Sequence, residues 1–171
     1  MKIQVGGLSE GLHTYAFAPT PTELGLPREF EGIVEVGATL EKTGKDLFLR
    51  VKAAAQGVWE CDRCITEFRC PLSAHYVMYY VWEEEAAAQF DPSEVQLIPA
   101  GVSAIDITED LRQTLQLAVP LKRLCRESCK GLCPQCGKNL NDGPCGCTPL
   151  APDGRWDKLR ELMTDTKHDA R

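Results

Sequence analysis

Six cysteines crowd into the 23 residues from Cys125 to Cys147, as Cys125-x3-Cys129-x3-Cys133-x2-Cys136 followed by Cys145-Gly-Cys147. Apolar residues between 125 and 150 are too sparse to build a core, so something other than hydrophobic burial must hold this segment. A divalent ion bound by thiolates does so, because one tetrahedral centre closes several short loops at once. The run Cys133-Pro-Gln-Cys136-Gly137 is the strongest part of the signal. Proline and glycine favour a tight turn whose backbone amides can point at the sulfurs and stabilise thiolate. The glycine-rich turn over residues 142–146 would return Cys145 and Cys147 to the same ion.

The chain has nine cysteines, and two more stand at metal-ligand spacing in Cys61-Asp-Arg-Cys64. A redox pair at this spacing usually opens a helix, whose dipole lowers the first thiol's pKa, and no helical run follows here. Cys70, ahead of Pro71, reads as an ordinary buried thiol. Eight cysteines suffice for two four-thiolate sites, so one or two zinc ions are expected. The favoured grouping is Cys133, Cys136, Cys145 and Cys147 around one ion and Cys61, Cys64, Cys125 and Cys129 around a second. That second site would tie the N-terminal sheet to the cysteine module; spacing alone leaves other groupings open. Catalysis is not expected. The histidines, His13, His75 and His168, lie far in sequence from the cluster, and no phosphate-binding glycine loop, activated serine or His-Glu metalloprotease helix is present.

The first eighty residues read as strands. Ile33, Val34 and Val36, then Leu47, Leu49 and Val51, alternate on either side of the turn-prone Thr43-Gly44-Lys45, which predicts a hairpin. Tyr76 to Val81 is apolar on both faces and reads as a central strand, with its tyrosines in the core. PTPTELGLP, residues 19–27, is a surface loop, and the acidic stretch 83–94 a solvated helix or loop. Ile107, Leu111, Leu115 and Ala118 recur at helical spacing, with Asp106 placed to cap and Pro120 to stop the helix. A second short helix over 155–163 would place Trp156, Leu159 and Met163 on one stripe, with Asp153 at the cap; the last eight residues have nothing to bury. The expected class is α+β: an antiparallel β-rich sheet or partial barrel with one or two packed helices and a small C-terminal cysteine-rich zinc module. The expected division is a β-rich domain over 1–120, a metal module over 121–150 and a short helix with a tail over 151–171.

A formal charge of −6 argues against a chain that coats nucleic acid through a basic surface. Residues 121–138 nevertheless carry a local +4 from Lys122, Arg123, Arg126, Lys130 and Lys138 against Glu127, leaving −10 elsewhere. Part of that charge compensates four thiolates on a divalent ion, and Arg123, Arg126, Lys130 and Lys138 are candidates for contact with RNA or a partner. No apolar stretch reaches the length of a signal peptide or a membrane span, so the expected setting is the cytoplasm, with no membrane and no small-molecule substrate.

Taken together, CDRC at 61–64, CKGLCPQCGKNLN at 129–141, CGC at 145–147 and DGRWDKLREL at 153–162 resemble the YceD family, the bacterial large ribosomal RNA subunit accumulation proteins. The resemblance runs along nearly the whole chain. It implies a cytoplasmic, non-catalytic factor for accumulation or processing of large-subunit (23S) ribosomal RNA in ribosome biogenesis. The acidic sheet favours docking of a basic ribosomal or assembly protein, with the RNA engaged directly or through that partner. The alternative is a zinc- or thiol-dependent transcriptional or redox regulator.

Overall fold

The computed structural model describes residues 1–148 and 153–165. Five strands form one sheet in the order β2-β3-β4-β5-β6, from β2 (Gly11–Phe17), β3 (Phe30–Thr43), β4 (Asp46–Glu60), β5 (Glu67–Val81) and β6 (Val95–Leu97). Each pairing is antiparallel except β5–β6, where Tyr79 to Val81 run parallel to Val95 to Leu97. A separate two-stranded ribbon joins β1 (Lys2–Gln4) to β7 (Ala104–Asp106), with Ile3 opposite Ile105. The sheet is open and does not close into a barrel, in keeping with the expected antiparallel β-rich sheet.

The β3–β4 hairpin forms where the alternation predicts it. Thr43 pairs with Asp46 across a two-residue turn, and Gly44 takes φ +60°, the first-position demand of a type II′ turn. Alternation then sorts the faces. Val34, Val36, Ala38 and Leu40 of β3 and Leu47, Leu49, Val51, Ala53 and Ala55 of β4 point into the core, while Arg50 and Lys52 point to solvent. Helix α2 (Thr108–Leu117) packs on β4 and β5, burying Leu111 and Leu115 completely. Each such side chain contributes about 1.5–3 kcal/mol of burial. Asp106 precedes this helix, and its carboxylate accepts the Thr108 N–H at 3.0 Å. Its role is thus a local turn one residue before the cap position, since Ile107 is the N-cap residue.

Several elements depart from their sequence reading. Strand β5 starts at Glu67 and runs through Pro71, nine residues before the aromatic run that begins at Tyr76. Proline is tolerated there because β6 reaches only Tyr79 to Val81, leaving β5 an edge at Pro71. Cys70, expected to be buried, is half-buried in this strand. The acidic stretch forms the single turn α1 (Glu84–Ala87) and is anchored beyond it: Phe90 stacks on Tyr79 at 4.2 Å, and Tyr79 on Phe48 at 4.4 Å. Tyr79 therefore belongs to an outer-face stack, whereas Tyr80 is fully buried in the core.

The chain divides into two compact units, Met1–Cys129 and Lys130–Arg171, so residues 121–129 belong to the sheet unit. In the second unit a 3-10 turn (Gly154–Trp156) leads into α3 (Asp157–Asp165), and Asp153 caps it by accepting the Arg155 N–H at 3.0 Å. Trp156 and Leu159 of the predicted stripe are exposed; the Met163 side chain and the tail from residue 166 lie outside the described residues. Among the described residues, no helix is long and apolar enough to cross a membrane.

Candidate metal centres

Cys61 and Cys64 sit on the loop that turns β4 into β5, closed by the opposing pair Glu60 and Glu67. The loop is a knuckle. Cys61 N–H bonds the Thr66 carbonyl at 3.0 Å, and Ile65 N–H bonds the Cys61 carbonyl at 2.9 Å. The same ring recurs in the second unit, where Cys133 N–H bonds the Lys138 carbonyl at 2.8 Å and Gly137 N–H the Cys133 carbonyl at 2.9 Å. In both, the residue after the second cysteine is left-handed, Ile65 at φ 61° and Gly137 at φ 72°.

The structure brings each knuckle's sulfurs to a second cysteine pair. Cys61, Cys64, Cys125 and Cys129 form one cluster and Cys133, Cys136, Cys145 and Cys147 the other, with all sulfurs of a cluster within 4.8 Å of one another. Each cluster lies within one compact unit. Four sulfurs about 2.3 Å from a tetrahedral zinc would stand roughly 3.8 Å apart. The Cys61–Cys129 and Cys64–Cys125 separations are 3.8 and 3.7 Å, and Cys133–Cys145 is 3.4 Å. Donor set and spacing therefore fit a metal ion in both places. The first cluster is the more enclosed, with Cys61, Cys64 and Cys129 buried; in the second only Cys133 is buried and Cys136 is exposed.

The backbone prepares the thiols unequally. Burial pushes the Cys61 thiol up, but N–H groups of Cys125, Arg63 and Cys64 outweigh it and bring it down to about 6. Cys133 is likewise brought to about 6, by the N–H groups of Cys136 and Gln135 and then the Cys145 thiol. Burial and then the Cys129 and Cys64 thiols push Cys125 up to about 12; the Cys136 thiol and burial do the same to Cys147. In each knuckle the first thiol is the one lowered, with several peptide N–H groups converging on its sulfur.

The basic residues singled out by sequence have local partners. The Arg123 guanidinium bonds Asp62 at 3.2 Å, and Lys138 Nζ bonds the Pro144 carbonyl at 3.0 Å across the second cluster's loop. The Arg126 carbonyl accepts the Cys129 N–H at 3.0 Å, and the Lys130 N–H is held by the Asn141 side chain at 2.9 Å. Sequence reasoning missed a groove of about 750 Å³ beside the first cluster, whose lining includes Val58, Trp59, Cys61 and Ile65. Five carboxylates, Glu29, Glu31, Glu60, Asp62 and Glu67, face Arg28 and Arg123 there. Its residues come from four separate segments, so no local motif announces it.

The model of the large ribosomal RNA subunit accumulation protein YceD matches residues 49–163, which takes in most of β4, all of β5 and α2, and both cysteine clusters. The chain belongs to the YceD family. Among relatives, an uncharacterized protein of Mycobacterium tuberculosis is 26% identical over 153 residues, covering 89% of this chain and 73% of its own length. A chloroplastic YceD homolog 1 of Arabidopsis thaliana, named for large ribosomal RNA subunit accumulation, is 37% identical over 68 residues, 38% of this chain and 21% of that protein. The Zea mays counterpart is 42% identical over 57 residues, 33% of this chain and 20% of that protein. No solved structure gives a significant match. YceD membership links the chain by family name to large-subunit ribosomal RNA.

Proposed function

We propose that this protein is a non-catalytic cytoplasmic factor in accumulation of large-subunit (23S) ribosomal RNA, acting by docking a basic ribosomal or assembly protein. The observation that carries the reading is the YceD match over residues 49–163. Support for a protein partner comes from charge. The chain is −6 overall, and Glu60 and Glu67 face each other at the rim of the groove with no ion pair to either among the described residues. Like charges directly opposite on a sheet are unfavourable, and a cationic side chain from a partner would relieve them. Affinity purification from growing cells should recover a basic large-subunit or assembly protein, with RNA lost on nuclease treatment and the protein retained. Tight binding of naked large-subunit RNA by the pure protein, with a steep salt slope, would sink this reading.

Each cluster is assigned one zinc ion. Four thiolates with no histidine or carboxylate ligand suit a closed structural site, which leaves no position for a reacting water. Elemental analysis should find two zinc ions per chain, falling to one when Cys61 and Cys64 are both replaced by serine. A regulatory reading rests on the exposure of Cys136. Mild peroxide that released zinc promptly, with reversible disulfide formation, would favour it; retained zinc favours the structural role.

A further inference from the structure

In both knuckles the residue just before the second cysteine reaches past the sulfurs to the strand of chain that brings back the other two ligands. In Cys61-Asp62-Arg63-Cys64 that residue is Arg63, whose Nη1 donates to the Cys129 carbonyl at 2.8 Å and the Glu127 carbonyl at 3.2 Å. In Cys133-Pro134-Gln135-Cys136 it is Gln135, whose Nε2 donates to the Thr148 carbonyl at 2.5 Å, one residue beyond Cys147. The first cluster adds a second tie. Asp62 N–H donates to the Arg123 carbonyl at 2.8 Å, and the Asp62 carboxylate accepts the Arg123 N–H at 2.7 Å. None of these bonds involves a sulfur. They are made by protein alone.

The geometry points to Arg63 and Gln135 as positioning residues, each holding its cluster's returning ligand segment against the knuckle so that the four cysteine sulfurs converge. Two unrelated side chains at the same knuckle position make the same kind of bond, and each reaches a backbone carbonyl beyond the sulfurs instead of a sulfur itself. Their chemistry suits that role, since both are N–H donors able to reach a carbonyl and Arg63 holds two at once from its Nη1. Preorganisation matters because the first cluster's ligand pairs are separated by about sixty residues of chain, whose closure would otherwise oppose metal binding.

For its affinity arm the inference rests on the zinc reading above, so the test uses two readouts on the full chain. In the metal-free protein, alkylation by iodoacetamide is followed at each cysteine by peptide mass, with Cys70 as internal reference. Arg63→Ala should speed alkylation of Cys125 and Cys129 several-fold while leaving Cys145 and Cys147 unchanged, since their unit is held by metal; Gln135→Ala is read through its zinc affinity. In the zinc-loaded protein, chelator competition should show each variant losing about 10- to 100-fold in affinity at its own cluster only. Arg63→Lys, which keeps the charge and N–H donors but loses the planar guanidinium geometry, should fall between Arg63→Ala and wild type, and it carries the test should Arg63→Ala not fold. Wild-type alkylation patterns in the Arg63 variants, or equal affinity losses at both clusters, would overturn the assignment. A wild-type chain that bound no zinc would end the zinc reading, leaving the alkylation arm to decide the clamp.

Discussion

Ile65 holds φ at 61°, a conformation that costs a side chain bearing a Cβ about 1–2 kcal/mol and a branched one no less. The equivalent position in the second knuckle is Gly137, at φ 72°. Ile65 recovers little through burial, being 61% exposed, and instead edges the acidic groove. Replacing it by glycine removes the strain, while the looser unfolded chain takes back about 0.4–1 kcal/mol. Ile65→Gly should therefore raise stability by roughly 0.5–1 kcal/mol, read as a higher denaturation midpoint. If the groove receives a partner, the same variant should bind it more weakly. A lower midpoint would show that Ile65 packs in a way its exposure does not suggest.

At the scale of elements, β4 delivers the first knuckle, and near its end Trp59 packs against both Gly57 and Phe30. The Trp59 indole lies over Gly57, where an added Cβ would fall 1.9 Å from the ring, and Phe30 meets the indole edge-on at 5.8 Å. Gly57→Ala should push the indole off its seat and destabilise the sheet unit by about 1–3 kcal/mol, the usual cost of overpacking, with a change in tryptophan fluorescence. In α2, Leu111→Ala or Leu115→Ala should cost about 2–5 kcal/mol. The entry to α2 is pH-sensitive. The Thr108 hydroxyl and then its N–H lower the Asp106 carboxyl to about 2, below the value of about 4 in an unfolded chain. Its contribution is therefore complete above pH ~4 and disappears as pH falls through about 2. Since its side chain is half exposed, Asp106→Ala should cost only about 0.5–1 kcal/mol near pH 7. The gap between variant and wild type should close on acidification.

Over the whole molecule, the two units rest on different sources of stability. The sheet unit has a continuous core from Ile3 to Leu115, whereas beyond residue 129 Cys133 is the only buried apolar side chain among the described residues. Removing metal with a strong chelator should thus expose backbone amides over 130–148 to rapid hydrogen exchange and leave β3, β4 and β5 protected. Simultaneous loss of both would mean that the sheet too depends on metal.

What the amino-acid sequence determined alone is what depends on neighbours. The two knuckles need only Cys-x-x-Cys and a following left-handed residue, the β3–β4 hairpin needs alternation and Gly44, and α2 needs its i, i+4 leucines. The α+β class follows from those periods. Tertiary structure decided everything joined over distance: which cysteine pair meets Cys61 and Cys64, the parallel seat of β6, the pairing of Ile3 with Ile105, and the acidic groove. The reason is physical. Every cysteine pair offers the same chemistry to a metal, so spacing cannot choose among partners. The choice at the first cluster is made by Asp62, Arg63 and Arg123, whose hydrogen bonds exist only once the chain has brought them together.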